Sequence, residues 1–397
     1  MKIMILCGVF AKENEQEILQ HARRPVEFSA NVFQSKLIRG FREGAYDVQV
    51  LSAPFIGSFP NASDILTFSA FSNSQDQYTY VSFNNCWGIR NFSRTASLKK
   101  ALGGFISDPD KEKLIVVYSP HTPFLEAAVY AKKRDPSIRI CLVVPDLPQY
   151  MNLNAKISLV YKIAKKVDIA RFEKLSKHVD SYMLLTEPMK EKLRVGNRPY
   201  FVAEGIVDPD TLNQKSYERS AGEEKYVVYT GKTNQRFGVK KLVDAFVSID
   251  APNLRLVLCG KGDCDPYIAA IAKQDRRIMA LGQLPHEKAV RWISAADVLV
   301  NPRENDEEYT KYSFPSKNIE YLASGNPTVA YLLDGMPDRY KDLMIPVDQD
   351  GLAAAISKAL RRSEQEEKER VDLVREHLKT LYAQSVAEKI VEMTYSN

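Results

Sequence analysis

The scarcities of this chain narrow its class before any motif does. Five cysteines in 397 residues is an odd number, and Cys7, Cys86, Cys141, Cys259 and Cys264 fall mostly inside or just after apolar runs. Thiols so placed are expected to be buried and reduced, which excludes a disulfide-framed secreted fold. Cys259 and Cys264 lack partner ligands at zinc spacing, so no metal is expected. No apolar run approaches the length that crosses a bilayer. The opening MKIMILCGVF reads as a strand, with an apolar run too short for a signal peptide and no cleavage site. A cytoplasmic protein is the expectation. No large basic excess is present either: 55 Lys and Arg against 50 Asp and Glu leave +5, which does not imply nucleic acid.

What is present fits a large α/β enzyme. A chain of this length exceeds one core and suggests two domains of similar size. Strand-like runs alternate with helical patterns throughout, as at Lys2–Cys7, Asp47–Ser52, Leu114–Ser119, Tyr226–Thr230, Leu254–Cys259 and Val298–Asn301. Two Rossmann-like domains facing each other across a cleft is the economical architecture. Boundaries are expected at 1–200 and 201–379, with a polar linker over Asn197–Ala221. The interval Pro54–Arg94, rich in Phe, Ser and Asn, predicts an irregular or β-rich insertion.

The most informative stretch begins at Asp297. DVLVNP is a short apolar run of the kind buried in a parallel sheet. It leads through an acidic loop (Glu304, Asp306, Glu307, Glu308) to SFPSKNIEYLASGNPTVA. Here Ser313 suits an N-cap and Pro315 the first helical position. Ser316 and Lys317 would then offer free N–H groups at the positive end of the helix dipole, a site for phosphate. Glu320 falls one turn further on, where a carboxylate can accept bonds from two vicinal sugar hydroxyls. Phosphate and diol together suggest a nucleotide. A well-capped βαβ unit with no ligand has the same pattern.

Other strand ends carry candidates. VVYTGKTNQRFGVKK places Gly231 after a strand, with Lys232 and Arg236 in the following loop as cations. Gly231-Lys232-Thr233 imitates the end of a P-loop, but Tyr226 stands where that motif needs glycine. Gly260 and Gly262 follow the next strand, and Gln283 and Leu284 the one after. His121 and Asp146 lie just beyond strands in Pro-flanked loops of the first half, where a structural hydrogen-bonding role competes with a chemical one. A basic helical pattern, Lys156–Lys177, interleaves Lys162, Lys166, Arg171 and Lys174 with apolar residues. It is read either as a surface helix packed on its own domain or as a face for anionic lipid headgroups.

SFPSKNIEYLASGNPTVA resembles the nucleotide-sugar signature of the group 1 (family four) retaining glycosyltransferases, enzymes of the GT-B fold. The resemblance extends over nearly the whole chain and is strongest over Tyr226–Val347. It implies a nucleoside diphosphate sugar as donor substrate, no cofactor or metal, and a saccharide or lipid-linked acceptor of the kind used in bacterial surface polysaccharide synthesis. By that likeness Lys232 and Arg236 neutralise the diphosphate. Glu320 binds the ribose. Gly231, Gly262, Gln283, Leu284, Ser316 and Lys317 line the nucleotide. His121 and Asp146 touch acceptor or donor sugar, and a final helix of about 380–397 returns to the first domain. The chain departs from the pattern at Tyr312, where the first of two glutamates is usual and the tyrosine would bond the sugar or diphosphate instead, and at Phe237, where a lysine is usual. Ala30 and Asn31 replace two glycines. An epimerase of the same fold, or a non-catalytic partner of an active enzyme, are the rival readings.

Overall fold

A computed structural model of the chain describes residues 1–24, 26, 28–73, 78–150, 159–209 and 224–396. Those residues divide into two compact units, one of Met1–Ile206 with Tyr382–Asn397 and one of Val207–Leu381. The expected linker over Asn197–Ala221 falls partly outside the described residues.

The strands among the described residues of unit 1 are β1 (Lys2–Cys7), β2 (Asp47–Ser52), β3 (Thr67–Phe68), β4 (Phe71–Asn73), β5 (Tyr78–Tyr80), β6 (Phe83–Asn84), β7 (Lys113–Tyr118), β8 (Ile138–Val144), β9 (Ser181–Leu184) and β10 (Tyr200–Val202). Eight of them form one sheet in the order β10-β9-β8-β7-β1-β2-β5-β4. Its pairings are parallel except at β4–β5. β3 and β6 make a separate antiparallel pair, so the Pro54–Arg94 interval is a patchwork of short strands. β1 and β7 are apolar runs because helices cover both faces of a parallel sheet. The chain winds from β1 to β2 in one direction and from β7 to β10 in the other. The order therefore reverses between β1 and β7.

Unit 2 is the more regular. β11 (Lys225–Thr230), β12 (Leu254–Cys259), β13 (Ile278–Gly282), β14 (Val298–Asn301), β15 (Thr328–Ala330) and β16 (Ile345–Pro346) form an all-parallel sheet. Its order is β13-β12-β11-β14-β15-β16, which reverses between β11 and β14. Alternate residues of β11 serve different layers, as strand geometry requires. Val227 and Tyr229 pack with Val239, Leu242, Phe246 and Ile356 on one face. Val228 packs with Ile293 and Tyr321 on the other. Helices on both faces of both sheets define doubly wound α/β units.

The last helix, Ala383–Tyr395, belongs to unit 1. It lies so close to the helix Phe28–Glu43 that a Cβ on Gly40 would sit 2.0 Å from the Ala383 carbonyl oxygen. The Ser181 and Thr394 hydroxyls, 2.6 Å apart, tie its far end to β9. Among the described residues no helix is long and apolar enough to cross a membrane.

Candidate nucleotide site and acceptor-side residues

In open parallel sheets, ligands bind beyond the carboxyl ends of the strands where the winding reverses. In unit 2 that place is flanked by the loop after β11, which carries Lys232 and Arg236, and by the segment after β14, which leads to Ser316–Glu320. The sequence candidates of this unit thus converge on one end of one sheet.

Close backbone approach holds the loops together there. A Cβ on Gly260 would lie 1.6 Å from the Gly231 carbonyl oxygen, so the loops after β12 and β11 meet backbone to backbone. The Gly260 amide donates to the Gly282 carbonyl at 2.8 Å, which brings in the turn carrying Gln283 and Leu284. Gln283 is exposed and Leu284 half-buried. Gly262 donates to Asp265 Oδ1 at 3.1 Å, and Asp265 also accepts from the Thr233 hydroxyl. Gly238, with φ +77°, leaves no room for a side chain: its Cβ would fall 1.9 Å from the Pro302 oxygen. Asp265, Gly238 and Pro302 were not read as site residues from sequence. Only the glycine carries a local signal, a loop position just before a helix.

The helix after β14 runs over Ser316–Ala323. Pro315 is its cap and lies outside it, with ψ 109°, and Ser313 is not the N-cap. Ser313 is extended at the end of a 3-10 turn, Glu308–Tyr312, and its hydroxyl accepts from Arg303 at 3.0 Å. The cause is local: a residue before proline disfavours helical ψ, so Phe314 cannot start the helix. Phe314 instead packs on Tyr340, with ring centroids 5.0 Å apart. Asn318 is the first residue of the helix to donate inward, to the Pro315 carbonyl at 2.9 Å. The amides of Ser316 and Lys317 stand ahead of it at the positive end of the dipole. Lys317 Nζ donates to Glu320 Oε2 at 2.5 Å, while Glu320 Oε1 is buried without a hydrogen-bond partner among the described residues. An acceptor atom left open in this way suits a hydroxyl donor from a ligand.

Lys232 is exposed, and among the described residues its ammonium has no ion-pair partner. Its carbonyl accepts from the Tyr229 hydroxyl at 2.8 Å, which fixes the backbone at the start of the loop. Arg236 is differently placed. Its Nη2 donates to Tyr309 Oη at 3.0 Å and lies 3.7 Å from Glu307. The Tyr309 bond, with the nearby charges of Glu307 and Asp306, raises its pKa above the ordinary value. Tyr309 was not anticipated from sequence. The acidic loop is mixed: Asp306, Glu307 and Glu308 are exposed, whereas Glu304 pairs with Lys241 at 2.5 Å. Tyr312 is half-buried at the end of the 3-10 turn, and Phe237 is half-buried with the Arg236 guanidinium 5.5 Å from its ring centroid.

In unit 1, His121 caps the helix Thr122–Arg134 that follows β7, beside the point where that sheet reverses. Its ring lies 5.4 Å from Phe55 and 4.8 Å from Phe124, and Nδ1 is buried without a hydrogen-bond partner among the described residues. Burial and the neighbouring Arg94 and Arg90 charges hold its pKa well below the ordinary imidazole value, so it is neutral. Arg94 is itself buried, over the Phe83 ring at 4.3 Å and bonded to the Pro54 carbonyl at 2.5 Å. Asp146, exposed after β8, adds to the burial that raises the pKa of Tyr118. The basic helix runs over Leu159–Ser176, and Lys156 lies outside the described residues. Its apolar side chains do not form one packed stripe: Phe172 is buried while Ile163 and Val167 are exposed.

Comparison with known proteins agrees with the topology. Residues 224–362 match the family Glycosyl transferases group 1. Comparison with curated proteins finds no match. Among solved structures, sucrose-phosphate synthase from Thermosynechococcus elongatus is 15% identical, with a TM-score of 0.59 over 100% of this chain and 99% of its own. The lipopolysaccharide outer core galactosyltransferase WaaB is 13% identical, with a TM-score of 0.60 over 100% and 99%. Anabaena HepE, solved in complex with UDP, is 12% identical, with a TM-score of 0.59 over 100% of both chains. Two doubly wound units, the return of the last helix to the first of them, and full-length likeness to these structures define a chain of the GT-B fold, whose residues 224–362 match the Glycosyl transferases group 1 family.

Proposed function

We propose that the chain is a retaining glycosyltransferase that moves a hexosyl group from a nucleoside diphosphate sugar to a saccharide or lipid-linked acceptor in bacterial surface polysaccharide synthesis. The observation that carries the donor half is the convergence, at the reversal point of the unit 2 sheet, of Lys232, a cation without an ion-pair partner among the described residues, with the helix start at Ser316–Lys317 and the open Glu320 Oε1. Departure of the sugar leaves negative charge on a diphosphate. Fixed positive potential at that spot stabilises the developing charge without reorganisation. Lys232 and the two amides supply it, and Glu320 orients the ribose.

Arg236 joins them when it exchanges Tyr309 and Glu307 for a phosphate oxygen. Its guanidinium stays charged at any working pH, so the exchange depends on geometry alone. His121, neutral and with one nitrogen open, is suited to accept a hydrogen bond from a sugar hydroxyl in unit 1. Asp146 offers a second polar contact there. No general base is required if the leaving phosphate takes the acceptor's proton. With cations in this role the reaction runs without a metal. The protein acts in the cytoplasm, at the inner membrane face when the acceptor is lipid-linked.

The test is binding first and turnover second. Thermal shift against UDP, GDP, ADP, dTDP and CMP and their sugars, with and without magnesium, selects one diphosphate, and the selection persists in chelator. Transfer from that donor, followed by NMR of the anomeric proton, reports retention. Turnover of donor without any acceptor would replace this reading with an epimerase. Absence of any nucleotide shift would replace it with a non-catalytic partner.

A further inference from the structure

Resting on the transferase reading above, we infer that the acceptor carries an oxyanion, a phosphate or a carboxylate, which unit 1 binds through Arg94 and Thr122 near the carboxyl ends of β2 and β7. The starting observation is a charge without a counterpart. Three cations among the described residues are almost wholly buried: Arg94 at 1% exposure, Lys113 at 1% and Arg370 at 2%. Lys113 pairs with Asp135 at 2.8 Å, and Arg370 with Glu367 at 2.8 Å. Arg94 pairs with no carboxylate among the described residues. Its Nη2 donates to the Pro54 carbonyl and its guanidinium lies over the Phe83 ring. Its Nε is buried without a hydrogen-bond partner among the described residues.

Positive charge accumulates around it. Arg90 lies one turn earlier on the helix Arg90–Ala101, and like charges at that spacing repel. Both guanidinium charges act on His121, and no carboxylate of the described residues is among the groups that shift His121 or Arg94. Phe55, the residue after Pro54, has its ring 5.4 Å from that of His121, which brings the start of the helix Thr122–Arg134 to the same place. That start has no side-chain cap, so its partial positive charge is not offset locally. Thr122, the first residue of the helix, is 3% exposed, and its hydroxyl is buried without a hydrogen-bond partner among the described residues.

The chemistry of this cluster selects its ligand. Arg94 Nε can only donate a hydrogen bond, and the Thr122 hydroxyl can donate one to an oxygen. Water or a neutral sugar hydroxyl meets both, yet sets no charge against the two guanidinium groups. A phosphate or carboxylate oxygen does both, through the charge-assisted bonds that are the stronger kind. The place suits a substrate, because it lies beside the reversal of the unit 1 sheet between β1 and β7, where ligands of such sheets bind. His121, Phe55 and Arg90 are half-buried, so an approach from solvent passes them. The neutral His121 ring is left to a hydroxyl of the same sugar, and the charged group fixes which way the acceptor lies.

Sugar binding by the whole chain reads this site without any donor. The chain has five histidines, and the spectrum of His121→Gln identifies the Hε1 proton of His121 by its loss. Glucose 6-phosphate and glucuronate are then titrated beside glucose. An anionic sugar moves that proton and binds roughly tenfold or more tightly than glucose, as a hydrogen bond between charged groups implies. The tighter of the two anionic sugars names the oxyanion. Thr122→Val keeps the shape of the side chain and lowers the affinity for that sugar roughly fivefold, and the affinity for glucose less. Arg94→Gln abolishes the preference for charge. Circular dichroism checks the fold of both, and Thr122→Val carries the test if Arg94→Gln does not fold. The nucleotide thermal shift separates this inference from the reading it rests on. A preference for charge without nucleotide binding supports the oxyanion site and overturns the transfer reaction. Nucleotide binding with no such preference overturns the oxyanion site alone. The inference is also overturned if Thr122→Val binds the anionic sugars as the parent does.

Discussion

The Tyr321 hydroxyl accepts a hydrogen bond from the Thr230 amide at 2.8 Å, at the end of β11. Tyr321 is fully buried, and the same hydroxyl lies 3.2 Å from both the Thr230 hydroxyl and its carbonyl oxygen. This contact joins the helix that begins at Ser316 to the strand that ends just before Gly231 and Lys232. A second tie runs in parallel, from Asn301 Nδ2 to Asn318 Oδ1 at 2.6 Å. The phosphate-facing end of the helix is thereby registered against the cation-bearing loop. Tyr321→Phe removes one atom and strands the Thr230 amide in the interior. A buried donor left unpaired costs about 1–3 kcal/mol, which urea unfolding measures directly. Nucleotide affinity falls as well, because the two halves of the site lose their common reference. A variant as stable as the parent would show that the amide finds another partner.

Gly238 and Gly325 make a matched pair for a second prediction. Both have positive φ, +77° and +79°, but a Cβ at Gly325 meets nothing within 4 Å, whereas at Gly238 it collides with the Pro302 oxygen. Gly325→Ala therefore carries only the conformational cost, about 1–2 kcal/mol. Gly238→Ala carries that cost and must also push the loop after β11 away from the loop after β14. It is the more destabilised of the two, and it alone loses nucleotide binding. Equal stability and equal nucleotide affinity in the two variants would mean that the approach of these loops is not needed.

Most of the fold was legible because buried parallel strands read as short continuous apolar runs. The runs Tyr226–Thr230, Leu254–Cys259 and Val298–Asn301 mark β11, β12 and β14 to within a residue. What escaped depends on contacts between distant segments. Tyr309 lies in a polar run, and nothing local says that a 3-10 turn directs it to Arg236. Ser313 with Pro315 two residues on has the composition of a helix start, yet the proline extends Phe314 and delays the helix. The helix Leu159–Ser176 looked amphipathic by composition, but Phe172 and Val167 point to opposite sides. Burial of Arg94 has no mark in the sequence, although its charge adds to the burial that keeps His121 neutral.

Lys232 and Glu320 have separable consequences under the proposed reaction. Lys232 has no ion-pair partner among the described residues, so its removal leaves no buried charge behind and stability changes little. Its effect appears when charge develops on the departing diphosphate. Lys232→Ala should lower kcat on the order of a hundredfold while donor affinity changes less. Glu320→Ala acts in the ground state instead: it weakens nucleotide binding roughly tenfold or more, as expected for hydrogen bonds to a charged acceptor. Titration calorimetry and steady-state kinetics on both variants separate these effects. Parent-like values for both would remove these residues from the site.

His377 provides a pH test of unit 2 that is independent of its ligand. Its ring lies 5.3 Å from that of Tyr340, and Nε2 is 3.0 Å from the Tyr340 hydroxyl. Burial, with a smaller contribution from the Arg339 charge, lowers its pKa from 6.5 to about 4. The folded protein therefore favours the neutral ring, while the unfolded chain takes up a proton as the pH falls below 6.5. The stability that His377 contributes is present above that value, is lost progressively towards pH 4 and changes no further below it. His121 and His178 are also held low, so the parent's acid slope is a sum. His377→Gln keeps a polar group against Tyr340 and removes the titration. The difference between parent and variant, followed by urea unfolding across this range, isolates the single residue. The variant gains relative to the parent as the pH falls, and a constant difference would mean that His377 is protonated alike in both states.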